Sequence, residues 1–291
     1  MKKFRPQHAI AGLVASLGAT LAAAAGQPER WQLNMTQGVT ETAQRAYDMH
    51  MIMLWICVVI GVVVFGAMAI AILKFRKSKG AVADKGFVHS TKLEVIWTAI
   101  PTLILVVMAY PATIKVIEAY NTQDHEMTVK IVGQQWLWSY EYVGEGVRFT
   151  SRLDRHSDRL RQSGVKVDKH DPENANYLLD VDNRLVLPTN TKVRFVLTAD
   201  DVIHAWWVPA LGWKMDAIPG LVNEAWTEIR EPGIYRGQCA ELCGKDHGFM
   251  PIVVEAVPRE EFQARLAAMK AANDTTARTA SAEPALAGPQ G

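Results

Sequence analysis

Two long runs of apolar residues constrain the fold of this chain more than any other feature. Residues 49–73 carry no acidic or basic charge, and residues 94–115 form a second, mostly apolar run that contains two prolines. Each run is long enough to cross the hydrocarbon core of a bilayer. Because backbone polar groups must be paired inside a membrane, both runs are predicted to be helices. A transmembrane hairpin is therefore expected within an N-terminal region of residues 26–118.

The charges around the two runs predict their orientation. Six basic residues lie between them: Lys74, Arg76, Lys77, Lys79, Lys85 and Lys92. Short loops rich in Lys and Arg stay in the cytoplasm, so the chain after about residue 120 is expected outside the cytoplasmic membrane. A basic start followed by an alanine-rich apolar run predicts a cleaved signal peptide in residues 1–25, with a further membrane helix as the alternative.

The outer region has the pattern of a β domain. Short β-prone runs occur between residues 119 and 258, and Gly, Pro, Asn and Asp separate them. This spacing predicts an all-β sandwich or barrel. The runs are residues 129–132, 136–142, 184–187, 193–197, 225–229 and 252–255.

Two other parts of the outer region are predicted to be different. Residues 143–176 are highly charged and are expected to form an irregular, solvated insertion. In residues 259–271, Phe262, Leu266 and Met269 recur at helical spacing, which predicts a helix packed on the domain. Residues 272–291 have no apolar face and are expected to be a disordered tail. The formal net charge of +1 excludes a case for nucleic-acid binding.

Sulfur and imidazole side chains cluster near the end of this domain. Cys239, Cys243, His247 and Met250 lie within one short stretch, and His204 lies upstream. A disulfide between the two cysteines is one alternative, since an exported domain meets an oxidising compartment. Zinc is another, but a thioether is a poor zinc ligand and a good copper ligand.

The number of thiols indicates how many metal ions such a site holds. Mononuclear blue copper sites use one cysteine, two histidines and a weak axial methionine. The second cysteine here would let both sulfurs bridge two copper ions, with one histidine on each ion. Met250 and a backbone carbonyl would then be weak axial ligands.

The ligand cluster and several other segments resemble subunit II of cytochrome c oxidase. The similarity covers roughly residues 31–269, including both apolar runs. It implies a cupredoxin-like Greek-key domain after a two-helix hairpin, in a bacterial inner-membrane protein whose copper domain is periplasmic. The segments that carry the resemblance are residues 133–142, 181–184, 201–206, 216–220 and 238–250.

The resemblance implies an activity and a set of ligands. The chain would accept electrons from cytochrome c and pass them to haem in subunit I, where oxygen is reduced to water and protons are pumped. Two copper ions would be held by His204, Cys239, Cys243, His247, Met250 and the backbone carbonyl of Glu241. The Glu241 side chain would reach a magnesium or manganese ion at the boundary with subunit I.

The resemblance also implies roles for residues outside the ligand cluster. Trp136 resembles the tryptophan through which electrons arrive, although alternating aromatic residues on a strand are usually part of a core. Glu141, Asp182 and Asp201 match acids that help a basic cytochrome c to dock. Glu94 matches a glutamate at the entrance of a proton path, and it would equally suit the start of a helix.

Three other functions fit the sequence less well. A quinol oxidase subunit would lack the copper ligands, a nitrous-oxide reductase would need a large propeller domain, and a copper chaperone would not need two membrane spans. The sequence has no Cys-x-x-Cys-His motif for an attached c-type haem, so the electron donor is expected to be a separate protein.

Overall fold

The computed structural model describes residues 32–82, 85–168 and 170–282, with side chains as far as residue 273. The predicted signal peptide and the last part of the predicted tail, residues 283–291, lie outside these residues. The described chain forms two units. Arg45–Ala119 is one of them, and the residues before and after it make up the other.

The first unit is built from two long helices. Helix α1 spans Glu41–Lys74 and helix α2 spans Thr91–Ala119. Both are long and apolar enough to cross a membrane, and α2 buries none of its residues against protein. An exposed apolar surface of this size requires an apolar environment or a partner. The two helices therefore agree with the predicted transmembrane hairpin.

Both helices are longer than the predicted spans of residues 49–73 and 94–115. The apolar pattern marks only the part that a bilayer could cover, whereas the polar ends continue as helix. Near these ends, an ion pair joins Arg45 of α1 to Glu118 of α2, with a separation of 2.5 Å between Nη1 and Oε2. Helix α2 continues through Pro101 and Pro111.

The second unit is a sandwich of two five-stranded sheets. One sheet has the order β3-β2-β1-β5-β8 and the other has the order β4-β10-β9-β6-β7. This arrangement confirms the predicted all-β, cupredoxin-like sandwich. The strands are β1 Met127–Gln134, β2 Leu137–Tyr142, β3 Val147–Ser151, β4 Leu185–Pro188, β5 Val193–Ala199, β6 His204–Val208, β7 Trp213–Ala217, β8 Asn223–Thr227, β9 Gly233–Cys239 and β10 Pro251–Val257.

Four strands were not predicted from the sequence: β3, β6, β7 and β9. Strand β6 is buried at four of its five positions, so it shows no alternation of apolar and polar residues. Strand β9 contains two glycines and an arginine, and β7 contains a lysine and an aspartate. Strands β3 and β7 nevertheless alternate apolar and polar residues, and β9 alternates buried and more exposed positions from Tyr235 to Cys239, so the sequence did offer a strand signal in these segments.

The prediction that residues 143–176 are irregular is wrong. This segment contains strand β3 and helix α3, which spans Arg155–Ser163. The side chain of Asp154 caps α3 by accepting hydrogen bonds from the backbone N–H groups of His156 and Ser157. The high charge that suggested a solvated loop belongs to the exposed face of a short capped helix.

The core between the sheets is rich in aromatic rings. Trp138, Tyr140 and Tyr142 of β2 are all buried, as their alternation predicted. Trp206 Nε1 donates a hydrogen bond of 3.1 Å to the Tyr140 hydroxyl, which links the two sheets. Strand β2 begins only at Leu137, so the preceding tryptophan lies outside this buried row.

The final helix is longer than expected. Helix α4 spans Arg259–Ala282, whereas the sequence predicted a helix only to residue 271 and a disordered tail from residue 272. Phe262 and Leu266 are buried and Met269 packs against the core, which confirms the predicted apolar face. Residues 272–282 contain no Gly or Pro that would end the helix.

Candidate metal centre

Two paired strands bring the first ligands together. His204 begins β6 and Cys239 ends β9, and these strands pair at Trp206 and Cys239. Cys243 follows in the loop after β9. The ligand atoms of His204, Cys239 and Cys243 all lie within 4.8 Å of one another, and all three residues are buried.

The two cysteines are free thiols that face each other. Their Sγ atoms are 3.8 Å apart, whereas a disulfide bond is about 2.05 Å long. An imidazole lies beside each sulfur. His204 Nδ1 is 3.9 Å from Cys239 Sγ, and His247 Nδ1 is 3.5 Å from Cys243 Sγ. The arrangement is that of a ligand cluster and not of a disulfide.

The loop after β9 also carries the remaining predicted ligands. The Glu241 carbonyl oxygen lies 3.4 Å from Cys239 Sγ, while the residue itself is exposed. A short 3₁₀ turn, His247–Phe249, leads to Met250, which is 1% exposed. The Cys239 N–H donates a 3.0 Å hydrogen bond to the Met250 carbonyl. All six predicted ligand residues therefore lie in one region.

Asp201 holds the His204 ring from the side opposite the sulfurs. Its Oδ1 lies 2.9 Å from His204 Nε2, and its Oδ2 accepts a 2.7 Å hydrogen bond from the Gln135 backbone N–H. This contact leaves Nδ1 of His204 turned toward Cys239. A carboxylate in this position fixes the tautomer and orientation of a ligating histidine.

The protonation of the site depends on close contacts among its members. Burial disfavours the Cys239 thiolate, but hydrogen bonds, first of all from His204, outweigh burial and lower the Cys239 pKa to about 7. Burial and the neighbouring Cys239 sulfur raise the pKa of Cys243 to about 12. Burial opposes charge on His204, yet Cys239 and Asp201 raise its pKa on balance. These contacts favour the Cys239 thiolate and disfavour the Cys243 thiolate, and a bound cation would favour both, because metal binding displaces protons from its ligands.

Trp136 touches the backbone of a ligand residue. Its Nε1 donates a 3.2 Å hydrogen bond to the Cys243 carbonyl, which also accepts a 2.8 Å hydrogen bond from Gln135 Nε2. The Trp136 ring is half-buried, and Lys245 Nζ lies 5.7 Å from the ring centroid. A path of few contacts thus connects the surface at Trp136 with the thiol of Cys243.

Two glycines, Gly133 and Gly244, have no side chain and so leave room for His204 and Gln135 to pack beside them. A Cβ on Gly133 would lie 2.8 Å from Cδ2 of His204, so only glycine lets this imidazole pack against β1. Gly244 has a φ of +118°, and a Cβ there would lie 3.0 Å from Gln135 Nε2. Such a φ is one that L side chains rarely adopt.

The other predicted functional residues have partners outside the ligand set. Glu141 pairs with Arg148 at 2.9 Å and Asp182 pairs with Arg152 at 3.9 Å. Glu94 belongs to the helical unit, in the first turn of α2, where its carboxylate lies 2.8 Å from His89 Nδ1. The roles proposed for these acids in docking and proton uptake stay predictions.

Three residues of the site were not predicted to support the ligands: Gly133, Gln135 and Asp201. Gly133 and Gln135 stand in a segment that carried the family resemblance, yet only the fold shows that they touch His204 and Cys243. Asp201 was predicted as a docking acid, and its position three residues before His204 was the one available signal of a contact with the imidazole.

The donor set fits copper. Two thiols, two imidazoles and a thioether are soft or intermediate ligands, and Met250 would contribute little to a zinc site. The ligands His204, Cys239 and Met250 are nearly excluded from water, which suits a site for electron transfer and not one that binds a water molecule.

Comparisons with known proteins find one family across both units. A family model described as cytochrome C oxidase subunit II, periplasmic domain, matches residues 127–257. A second model, described as the transmembrane domain of the same subunit, matches residues 28–115. Together the two models account for both units.

Individual relatives show the same similarity. A probable cytochrome c oxidase subunit 2 from Rickettsia prowazekii (strain Madrid E) is 40% identical over 239 residues, covering 82% of this chain and 72% of the relative. Cytochrome c oxidase subunit 2 from Mycosarcoma maydis is 35% identical over 253 residues, covering 85% and 94%. The crystal structure of the periplasmic domain of subunit II of cytochrome oxidase from Bradyrhizobium japonicum is 40% identical, with a TM-score of 0.44, covering 51% of this chain and 96% of that one.

Proposed function

Since the chain belongs to the family of cytochrome c oxidase subunit II, we propose that it receives electrons from cytochrome c at a pair of copper ions and passes them to haem in subunit I. Membership makes the chain the electron-accepting subunit of a multisubunit haem–copper oxidase. Its two apolar helices anchor it in the membrane, and its β domain belongs to the periplasmic side. The oxidase reduces oxygen to water and is proposed to couple this reaction to proton pumping.

One observation carries the proposal of two copper ions. The two free sulfurs lie 3.8 Å apart, and each has its own imidazole nitrogen, at 3.9 Å for Cys239 and 3.5 Å for Cys243. A single ion would use only part of this set. Two ions would use all of it: Cys239, Cys243, His204 and His247 would hold them, with Met250 and the Glu241 carbonyl as weak additional ligands.

Hydrogen bonds within the protein already hold the ligand residues in position. A bound copper pair would supply a one-electron centre whose unpaired electron is shared over both ions. Asp201 holds His204 in one tautomer, and the backbone hydrogen bond between Cys239 and Met250 fixes the two ends of the loop. Because these residues are buried or already paired, they need little rearrangement when the charge of the site changes.

Trp136 is the proposed point at which electrons reach the site. Its ring is half-buried, and its Nε1 contacts the carbonyl of Cys243. Glu141, Asp182 and Asp201 are proposed to help a basic cytochrome c to dock near this ring. Exposed charges of this kind mainly raise the rate of association and are weakened by salt.

Two further residues are proposed to act at the boundary with subunit I. The Glu241 carbonyl faces Cys239 while the residue is exposed, so its carboxylate is free to bind a magnesium or manganese ion outside the copper site. Glu94, at the start of α2, is proposed to lie at the entrance of a proton path into subunit I.

Rapid mixing of the purified oxidase complex with reduced cytochrome c tests the proposal. We expect oxidation of cytochrome c to coincide with loss of the copper paramagnetic signal, before haem is reduced. A Trp136→Phe variant should slow this step while a small chemical reductant still reduces the site at the wild-type rate. Trp97→Phe, on the exposed surface of α2, serves as the matched control. Haem reduction that precedes any change at copper would contradict the proposal.

A further inference from the structure

Helix α3, inside the charged insertion, presents one arginine to the turn that carries His247. The Arg161 guanidinium carbon lies 4.4 Å from the centroid of the Phe249 ring. Arg161 Nη1 lies 3.5 Å from Asp246 Oδ1. The two contacted residues flank His247 in the sequence: Asp246 immediately precedes it, and Phe249 follows it by two positions. Arg161 is about one quarter exposed, so this face of α3 is turned toward the domain.

The insertion is anchored well enough to hold this arginine in place. The chain just before α3 is joined to the chain that follows the insertion, since the Asp154 N–H donates to the Asp180 carbonyl and the Asp182 N–H donates to the Arg152 carbonyl. Within the insertion, Ser157 is 2% exposed, and its hydroxyl oxygen accepts a 3.1 Å hydrogen bond from the backbone of a later residue, Leu178.

Arg161 lies one helical turn beyond Ser157, on the same face of α3. Its Nε donates a 2.7 Å hydrogen bond to Asp158 Oδ1. This bond limits the rotation of the long side chain. The guanidinium is therefore held between its own helix and the turn of His247.

The two histidines differ in how they are supported. His204 is completely buried and has the Asp201 carboxylate 2.9 Å from its Nε2. His247 is partly exposed, and in the described part of the chain no carboxylate lies against its ring in this way. Its position depends on the turn itself, in which the Phe249 N–H donates to the Asp246 carbonyl and the His247 N–H donates to the Gly244 carbonyl.

We propose that Arg161 is a positioning residue for His247, and that the insertion acts as a clamp on the second imidazole of the copper site. The arginine acts through Asp246 and Phe249 and does not touch the metal. A planar guanidinium can stack on a ring and pair with a carboxylate at the same time, which a lysine ammonium does less well. This inference rests on the proposed copper site.

The test compares three variants of the full chain in the purified oxidase complex. Arg161→Ala removes the clamp, Arg161→Lys keeps the charge but not the planar group, and Arg159→Ala changes an exposed arginine of the same helix. For Arg161→Ala we expect copper loss to a chelator to be about tenfold faster, with altered hyperfine structure and a shifted reduction potential. Arg161→Lys should be intermediate, and Arg159→Ala should match the wild type.

Hydrogen exchange on the copper-free protein tests the clamp without the metal. Arg161→Ala should speed exchange of the backbone N–H groups of His247 and Phe249, with an unchanged melting temperature. A Phe249→Leu variant removes the ring contact but keeps the contact of Arg161 with Asp246, so adding Arg161→Ala to it should have a smaller effect than Arg161→Ala has in the wild type. If Arg161→Ala does not fold, Phe249→Leu alone still tests the ring contact by the same exchange measurement: faster exchange at His247 is expected, and wild-type exchange would overturn the clamp.

The outcomes distinguish a failure of the proposed clamp from a failure of the proposed copper site. Wild-type exchange and wild-type copper retention in Arg161→Ala would overturn the clamp. Fully additive effects of Arg161→Ala and Phe249→Leu would overturn it as well. Absence of copper from the wild-type chain would instead overturn the proposed function, and the exchange experiment would still decide the role of Arg161.

Discussion

Asp201 shows how one side chain supports the site without being a ligand. Its carboxylate accepts two backbone N–H groups, from Gln135 and from Val202, and contacts the ring of His204. Burial opposes its ionisation, but these hydrogen bonds, led by that of His204, lower the Asp201 pKa on balance. An ionised acceptor at this position keeps the imidazole oriented toward Cys239.

Removing this carboxylate should weaken the metal site. We expect Asp201→Ala to lower copper affinity by about 10- to 100-fold, because the ligand histidine loses the group that fixes its tautomer. Competition with a chelator of known affinity measures the change. Asp200→Ala is the matched control, since Asp200 is exposed and accepts a hydrogen bond from Gln134. Equal copper affinity in both variants would show that the contact is not important for the ligand.

Gly133 sets the space available to the same histidine. In a Gly133→Ala variant the new methyl group would lie 2.8 Å from Cδ2 of His204, so the imidazole or β1 must move. We expect reduced copper occupancy and a changed paramagnetic spectrum. Gly248→Ala is the control, because a Cβ there meets nothing within 4 Å. A wild-type spectrum for Gly133→Ala would mean that the ring shifts without consequence.

At the scale of secondary structure, the sequence pattern predicted some strands and helices, whereas others were recognised only from their contacts in the folded domain. Short β-prone runs separated by turn residues predicted six strands, among them β1, β2 and β5, and helical spacing predicted the start of α4. Strand β6, which carries His204, was missed because it has no alternating pattern. Strand β9, which carries Cys239, alternates from Tyr235 to Cys239, but its two glycines obscured the signal. The ligand residues were predicted from their side-chain chemistry, whereas the strands that hold them were identified only from the structure.

Strand β2 makes the domain sensitive to high pH. Burial raises the pKa values of Tyr140 and Tyr142 well above their ordinary value of 10.0, against the opposing effect of their hydrogen bonds to Trp206 and Val186. Both phenols must stay neutral in the folded state. The stability that they contribute is thus fully present below pH 10 and is lost as the pH rises above the pKa of the unfolded chain.

We therefore expect the free energy of unfolding of the β domain to decline above about pH 10. Urea unfolding of the full chain, followed by tryptophan fluorescence across this range, measures the decline. A Tyr140→Phe variant should show a shallower slope above pH 10, because it has one fewer buried group to ionise. An identical slope in the variant and the wild type would mean that Tyr140 stays neutral in both states.

At the scale of the whole molecule, the sequence predicted the order of the parts. The apolar runs, the β region and the ligand cluster were each recognisable from the residues and their spacing. Contacts between distant segments were not. Nothing local indicates that Arg161 of the insertion reaches Phe249, or that Trp136 reaches the carbonyl of Cys243. Such pairs depend on how the strands and loops are arranged in space.

The most direct test of the central claim is the copper content and paramagnetic spectrum of the full-length chain, purified in detergent and loaded with copper. The two facing thiols predict two copper ions per chain and one unpaired electron shared equally by both. Cys243→Ser should abolish that spectrum, whereas Cys57→Ser, on the exposed surface of α1, should leave it unchanged. A single copper ion with an unshared electron, or zinc in its place, would contradict the account.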